Sequence, residues 1–300
     1  MACIIWIAFL FGLAATFVAN GSKCNIHRQL IYKDSVDILS SLPDIPVIYS
    51  FPDTAKNEEL LELTSKSYLM ENYRNDEVTL SSSNGYSHDK RKFTLGQYIA
   101  SFNSPEDTSG GIKDSSSVRA INNANETFYL FGNNYGGIWK QISTSYDIPN
   151  CQHCDVVGAK TVGIGSAESG VSFHFHGPGF AEVLHGSKQW FFFPSHVKIE
   201  DIPYFYPNSS MVDWTMLPEV ISRLGPRAHC QQHQCRSDAD LDIDGDDFIH
   251  VSDIFSEMQE CVLLPGELLY FPVGWLHGTL NLDEYNVFIS TFVDMQLAPK

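Results

Sequence analysis

The segment Ser172-Phe-His174-Phe-His176-Gly-Pro-Gly constrains the fold of this chain more than any other stretch. Alternate side chains of a β-strand share one face, so His174 and His176 point one way and the two phenylalanines point the other. Two imidazoles on one face, with aromatic side chains behind them, suit a metal site inside a β-barrel. The Gly-Pro-Gly turn then reverses the chain. The segment therefore predicts a histidine-bearing strand of a barrel.

A third histidine, His277, lies far along the chain in a second strand-like segment. Any one of the three histidines alone fits an ordinary core or surface position, whereas the three together indicate a metal site. On the return strand after the turn, Glu182 shares a face with Leu184, Gly186 and Lys188 if no bulge intervenes. Glu182 is accordingly a candidate fourth ligand, or a partner that orients one of the histidines.

The later part of the chain has the pattern of short strands separated by glycines and prolines. We predict strands at Phe128–Phe131, Val162–Ile164, Val171–His176, Glu182–Phe193, Glu267–Pro272 and Asn286–Val293. Such strands predict a mainly β sandwich or barrel, in one domain over residues 22–300. A polar, acid-rich stretch at residues 194–262 interrupts them, and we interpret it as an insertion on the barrel rim.

Two flanking helices are predicted before these strands. Asn57 can cap a helix from Glu58 to about Asn72, and Thr94 can cap another from Leu95 to Phe102. Residues 104–126 are rich in Ser, Asp, Asn and Gly and predict a surface loop.

The N-terminal residues indicate the secretory pathway. An uncharged run from Ile4 to Ala19, with small residues at Ala19 and Gly21, predicts a signal peptide at residues 1–21. A short signal-anchor is the alternative. After cleavage no segment is long and apolar enough to span a bilayer. We expect the mature chain in the endoplasmic reticulum lumen, with secretion as the alternative, since its last residues are not a KDEL-type address.

Sequons and cysteines agree with that compartment. Asn125 and Asn208 each begin an Asn-x-Ser/Thr triplet and are candidate glycosylation sites. Six cysteines remain after signal cleavage, and an even number in an oxidising compartment predicts disulfides whose pairing the spacing leaves open. Zinc binding by the Cys and His residues at 151–154 and 229–235 is the alternative.

The formal net charge of −17 disfavours nucleic acid as a partner, because an acidic surface repels phosphate backbones. A charged partner would instead be basic or a divalent cation. We therefore expect a lumenal protein as the partner or substrate.

The acidic stretch at residues 238–253 resembles a calcium loop. In the better of two registers Asp242, Asp244 and Asp246 take the first, third and fifth positions. Phe248 then offers its carbonyl oxygen, and Asp253 stands at the twelfth position. An aspartate replaces the glycine that the EF-hand normally has at its turn. Calcium binding is one interpretation, and a solvated acidic loop is the other.

Two further motifs resemble the JmjC family of the cupin superfamily. Gly-Ser-Lys188-Gln-Trp190, followed by Phe-Phe-Phe-Pro, is similar to the family's "G-x-K-x-W…P" strand. Leu-Pro-Gly-Glu-Leu-Leu-Tyr-Phe-Pro-Val-Gly-Trp-Leu-His277 is similar to its other histidine-bearing strand. The resemblance extends from about Pro46 to Val293, and looks closest to the small members that have a signal peptide.

The resemblance implies a double-stranded β-helix, also called a jelly roll, that holds Fe(II) and 2-oxoglutarate. His174 and His277 match the two iron-binding histidines of the family. Lys188 matches the lysine that pairs with the distal carboxylate of 2-oxoglutarate. Thr279 shares a face with His277 and could hydrogen-bond the same carboxylate.

One position departs from the family pattern. The usual motif is His-x-Asp or His-x-Glu, and here His176 stands in the place of the carboxylate. Three neutral imidazoles leave the charge of the metal uncompensated and favour zinc or copper more than the usual triad does. The sequence therefore favours a non-catalytic binding or regulatory module with a divalent metal. The alternatives are an Fe(II)/2-oxoglutarate-dependent protein hydroxylase and a simple cupin metalloenzyme that uses Glu182 as a ligand.

Overall fold

The computed structural model describes residues 24–31, 43–50, 58–82, 89–103, 128–131, 137–146, 157–206, 209–224 and 253–293. The strands in these ranges are β1 His27–Leu30, β2 Val47–Ser50, β3 Glu77–Ser82, β4 Lys90–Thr94, β5 Phe128–Tyr129, β6 Val157–Gly165, β7 Gly170–His174, β8 Gly179–His185, β9 Lys188–Phe193, β10 Gln259–Leu263, β11 Glu267–Phe271, β12 Leu276–Asn281 and β13 Asn286–Val293. The helices are α1 Glu58–Leu63, α2 Lys66–Asn72, α3 Leu95–Ala100, α4 Gly137–Ser145, α5 Met211–Thr215 and α6 Pro218–Leu224. None of the helices in the described ranges has the length and apolar character of a membrane span.

Two sheets form the core of the jelly roll. One sheet has six strands in the order β1-β2-β11-β8-β13-β6, and the other has four in the order β10-β9-β12-β7. Residues of both sheets share one buried cluster, in which Ala181 and Phe288 of the first sheet join Trp190 and Phe192 of the second. The two sheets therefore enclose a common interior, and the predicted mainly β jelly roll is confirmed.

Strand alternation separates this interior from two outer clusters. On β13, Val287 and Ile289 pack outward against the helices α1–α4 and the small sheet β4-β3-β5. On β9, Phe191 and Phe193 pack outward against α5, α6 and the helical residues 253–257. Each face of the barrel wall is thus buried, which explains why these strands are apolar at nearly every position.

The helix predicted from Glu58 to Asn72 is wrong as a single element. It is two helices, because Ser65 leaves the helical conformation and accepts a hydrogen bond from the Tyr68 N–H at 3.2 Å, which caps α2. The cap predicted at Thr94 is confirmed. Its hydroxyl accepts from the Gln97 N–H at 3.2 Å and the Gln97 side chain accepts from the Thr94 N–H, which makes a capping box.

Part of the predicted rim insertion belongs to the barrel. The segment Gln259–Leu263, which overlaps the end of the range 194–262, forms β10 and pairs with β9. The segment before residue 224 covers the outer face of the four-stranded sheet with α5 and α6 rather than extending from the rim. The prediction of an insertion over the whole range is corrected accordingly.

A disulfide joins Cys24 to Cys261, across 237 residues of sequence. It ties the segment before β1 to β10, and Cys261 lies in the interior cluster with Trp190 and Phe192. Of the six predicted disulfide cysteines, the other four lie outside the described residues.

Candidate metal centre

Two neighbouring strands, β7 and β12, and the residues just after β7 bring the histidines together. His174 is the last residue of β7, and its backbone pairs with that of His277 in β12. His176 follows two residues later, where its carbonyl accepts a hydrogen bond of 3.1 Å from the Gly274 N–H before β12. The three imidazoles that the sequence singled out thus converge although His176 and His277 are separated by 101 residues.

Backbone carbonyls fix the tautomer of each ring. The Nδ1 atoms of His174, His176 and His277 lie 2.8, 2.7 and 2.9 Å from the carbonyl oxygens of Ser172, Gly177 and Trp275. A carbonyl oxygen can only accept, so each Nδ1 carries the hydrogen and donates it. Each Nε2 therefore keeps a free lone pair in the neutral ring, which is the arrangement of a metal-ligating histidine.

The three rings present one nitrogen each within 4.8 Å of one another. The Nε2 atoms of His176 and His277 are 3.2 Å apart. Two lone pairs at that distance repel each other unless a cation lies between them. The donor set and its spacing therefore fit a divalent metal, which imidazole nitrogens bind well.

Burial keeps the imidazoles neutral. It lowers the pKa of His174 to about 4 and the pKa of His176 below its ordinary value. The pKa of His277 is lowered well below the ordinary value, first by burial and then by the neighbouring His174 and His176. Neutral rings are required for ligation, so the cluster is ready to bind a metal without first losing protons at neutral pH.

Aromatic rings surround the histidines. The ring centroids of Phe271 and Phe292 lie 5.3 and 5.0 Å from that of His176. Those of Trp190 and Phe192 lie 5.8 and 5.7 Å from that of His277. These apolar walls limit solvent around the nitrogen cluster and raise the strength of electrostatic interactions inside it.

The predicted cosubstrate residues lie farther along the same barrel interior. Along the β9–β12 pairing, His277 faces Phe192, Thr279 faces Trp190 and Asn281 faces Lys188. The Lys188 ammonium donates to Asn281 Oδ1 at 3.0 Å and lies 4.0 Å from the ring centroid of Phe288.

Burial lowers the pKa of Lys188 to about 7. Thr279 Oγ1 accepts from the Val171 N–H at 3.2 Å. Both side chains lie in the barrel interior and already have hydrogen-bond partners there.

Glu182 is not brought to the histidines, which corrects its prediction as a metal ligand. It lies in β8 with its side chain on the outer face, opposite Ile289, and its Oε2 accepts from the Tyr146 hydroxyl at 2.9 Å. The predicted shared face with Lys188 fails because β8 ends at His185. Gly186 then takes a φ of +74°, and Lys188 begins a strand of the other sheet.

Other predicted sites lie outside the described residues: the signal peptide 1–21, the sequons at Asn125 and Asn208, and the calcium positions Asp242, Asp244, Asp246 and Phe248. Asp253 is described, and it is an exposed residue at the start of the helical residues 253–257.

Sequence reasoning missed Asn281, which holds the Lys188 ammonium and also donates to Ser169 Oγ at 3.0 Å. Its position two residues after Thr279 on the same face was the available signal. Phe288 was missed as well, since only the barrel closure brings β13 opposite β9.

The sequence profile of the cupin-like domain matches residues 45–298. The chain therefore belongs to the cupin-like family, in agreement with the jelly roll and the histidine cluster inside it.

Three similar proteins from mammals share one name. The chain is 30% identical to JmjC domain-containing protein 8 of Rattus norvegicus over 92% of this chain and 84% of that protein. It is 29% identical to the Mus musculus protein of the same name, over 94% and 86% of the two chains. The Homo sapiens protein of that name is 30% identical, over 92% and 86%. The predicted membership of the JmjC family is thereby confirmed.

Proposed function

We propose that this protein is a JmjC-fold module of the secretory pathway that binds a divalent metal and acts by binding a lumenal protein rather than by catalysis. The observation that carries the proposal is the third imidazole. His176 stands where the family usually has a carboxylate, and its Nε2 lies 3.2 Å from that of His277. Three neutral ligands leave the double positive charge of the metal uncompensated by its ligands. This is the environment that least resembles a two-histidine, one-carboxylate iron site.

His174, His176 and His277 would hold the metal through Nε2. A bound divalent ion would supply Lewis acidity and would tie β7 to β12 across the four-stranded sheet. Imidazole ligands suit zinc, copper, iron and nickel alike, so the protein would select its metal by availability and geometry. The three carbonyl acceptors would keep the rings oriented toward the ion.

The cosubstrate residues support the same proposal. Thr279 Oγ1 is engaged by the Val171 N–H, and the Lys188 ammonium is engaged by Asn281. A carboxylate arriving at Lys188 would have to share the ammonium with the amide oxygen of Asn281 and the ring of Phe288. The residues present therefore fit a metal better than they fit 2-oxoglutarate.

A protein hydroxylase is the second candidate, and a specific observation favours it. Lys188 is only 2% exposed, and no acidic side chain among the described residues forms an ion pair with it. The indole N–H of Trp190, across from Thr279, also lacks an acceptor within those residues. Buried donors of this kind are the usual partners of an acidic ligand. The simple cupin metalloenzyme loses its basis, because Glu182 lies on the outer face.

Localisation and calcium binding stay proposals. The Cys24–Cys261 disulfide is compatible with an oxidising compartment. The calcium interpretation rests on the sequence of the acidic loop alone, as does glycosylation at Asn125 and Asn208.

The test measures metal content and 2-oxoglutarate turnover in the same preparation. The purified wild-type protein should bind one divalent ion per chain and, loaded with Fe(II) in air, should form no succinate above a metal-free control. His176→Asp should keep the metal, because a carboxylate also ligates it. Succinate formation by the wild-type protein that disappears in His176→Asp would overturn the proposal in favour of the hydroxylase.

A further inference from the structure

Phe288 lies directly over the only cation in the described part of the barrel interior. Its ring centroid is 4.0 Å from Lys188 Nζ, and its side chain is 3% exposed. Its neighbours Val287 and Ile289 point to the outer cluster. Strand alternation therefore places the Phe288 side chain, between them, in the barrel interior. The face of an aromatic ring at this distance attracts an ammonium group.

The ring is held in a slot. Phe288 pairs across the sheet with Gly163, and a Cβ at Gly163 would stand 2.2 Å from Phe288 Cζ. Only glycine therefore leaves room for the ring at this place in β6. The ring of Phe131 stacks on Phe288 with centroids 5.6 Å apart. These contacts keep Phe288 against the ammonium.

The other side of the ammonium is also occupied. Asn281 Oδ1 accepts its hydrogen bond at 3.0 Å, and Asn281 Nδ2 donates in turn to Ser169 Oγ at 3.0 Å. Ser169 Oγ donates to the Ser166 carbonyl at 2.7 Å, so this chain of bonds is complete. Lys188 is thereby held between a carbonyl-type oxygen and a ring face.

We propose that Phe288 closes the anion subsite at Lys188, so that the metal centre binds no dicarboxylate cosubstrate. A carboxylate that approached the ammonium from the side of Phe288 would have to displace the ring, and the negative face of the ring repels it. The inference deepens the proposed function, on which it rests, because it names the residue that separates metal binding from oxygenase chemistry. It makes Phe288 the specificity-determining residue of the interior.

The experiment is a calorimetric titration of 2-oxoglutarate into the full protein, both metal-free and zinc-loaded. Zinc supports no turnover, so the readout is binding alone. The wild-type protein should show no saturable binding at millimolar ligand, whereas Phe288→Ala should bind at least about tenfold tighter. Phe288→Leu keeps more of the apolar volume, removes the ring face, and serves if the alanine variant is unstable. Ile289→Ala makes a buried cavity on the same strand but on the outer face, and should bind as the wild type does.

Adding Lys188→Met to Phe288→Ala should abolish the gained binding, which would locate the ligand at the ammonium. Wild-type binding as tight as that of Phe288→Ala would overturn the closure. So would a folded Phe288 variant that gains nothing. Failure of the proposed function would give a different result, namely absent zinc binding or succinate formation by the wild-type protein. Binding of 2-oxoglutarate by the wild-type protein without turnover would overturn only the role of Phe288.

Discussion

The two ends of the barrel interior satisfy their polar groups in different ways. At the histidine end, each Nδ1 donates to a carbonyl, but the Nε2 lone pairs of His176 and His277 face each other at 3.2 Å with no donor between them. At the lysine end, Lys188, Asn281 and Ser169 form a closed chain of hydrogen bonds. Buried polar groups are normally paired. The first end therefore has lone pairs that can bind an ion, whereas at the second end the Lys188 ammonium is already in contact with Asn281 and Phe288.

This contrast also separates two roles that the family combines. The histidine end keeps the positions that ligate metal, with an imidazole in place of the carboxylate. The lysine end has Lys188, which the resemblance matches to the family's cosubstrate lysine, and Asn281 and Phe288 contact its ammonium. Retaining a buried lysine without a carboxylate partner costs stability. The protein tolerates that cost because the ring and the amide oxygen compensate part of the lost hydration.

The largest effect is expected from removing a ligand at the histidine end. His277→Ala should weaken zinc binding at least about 100-fold, since losing even an outer partner of a ligand costs about 10–100-fold. The measurement is a competition titration against a chelating dye. His196→Ala is the matched control, because this imidazole is exposed and takes no part in the cluster. Its Nε2 lies 2.8 Å from Oε2 of Glu257. An unchanged zinc affinity in His277→Ala would mean that the histidine end is not the metal site, and the contrast with the lysine end would fail.

A smaller effect is expected at the lysine end, and it depends on pH. Burial lowers the pKa of Lys188 to about 7, from 10.5 in the unfolded chain. Between these values the unfolded chain binds a proton that the folded chain has lost, so the free energy of unfolding rises with pH across this window. Below about pH 7 both states are protonated and this contribution is flat.

Lys188→Met should therefore raise the free energy of unfolding by about 1–3 kcal/mol at pH 7. The gain over the wild-type protein should shrink as the pH rises toward 9. The measurement is denaturant unfolding of both proteins at several pH values, and the difference between them cancels the other titrating groups. A Lys188→Met variant that is less stable at every pH would show that an ion pair, not an uncompensated cation, occupies this end.

Most residues of the two ends could be placed in the barrel interior from the sequence, because strand alternation is a local property. His174 and His176 lie close in sequence, and Thr279 follows His277 at strand spacing, so alternation alone placed each near the interior. The strand predicted at Asn286–Val293 matches β13 at both ends, because an apolar run with β-branched and aromatic residues has few other options. The family motifs supplied the pairing of distant strands that alternation cannot give.

The errors arose where one residue changes the geometry or where the contact is distant. Gly186, with φ of +74°, ends the alternation that would have put Glu182 and Lys188 on one face. The contact of Phe288 with Lys188 joins strands of different sheets that lie 100 residues apart in sequence. No periodicity within one strand encodes such a contact, so the contact could be seen only in the assembled barrel.

The smallest effect is expected from Glu182, which tests whether the outer face takes any part in metal binding. Glu182→Gln should leave zinc affinity within about twofold of the wild-type value, because its carboxylate bonds to the Tyr146 hydroxyl on the far side of the wall. It should lower the free energy of unfolding by about 1 kcal/mol, since the buried Tyr146 hydroxyl would have to find its acceptor on an amide side chain instead. Both quantities come from the same chelator competition and denaturant titration. A loss of zinc affinity comparable to that of His277→Ala would return Glu182 to the ligand set and would mean that β8 presents its other face to the interior.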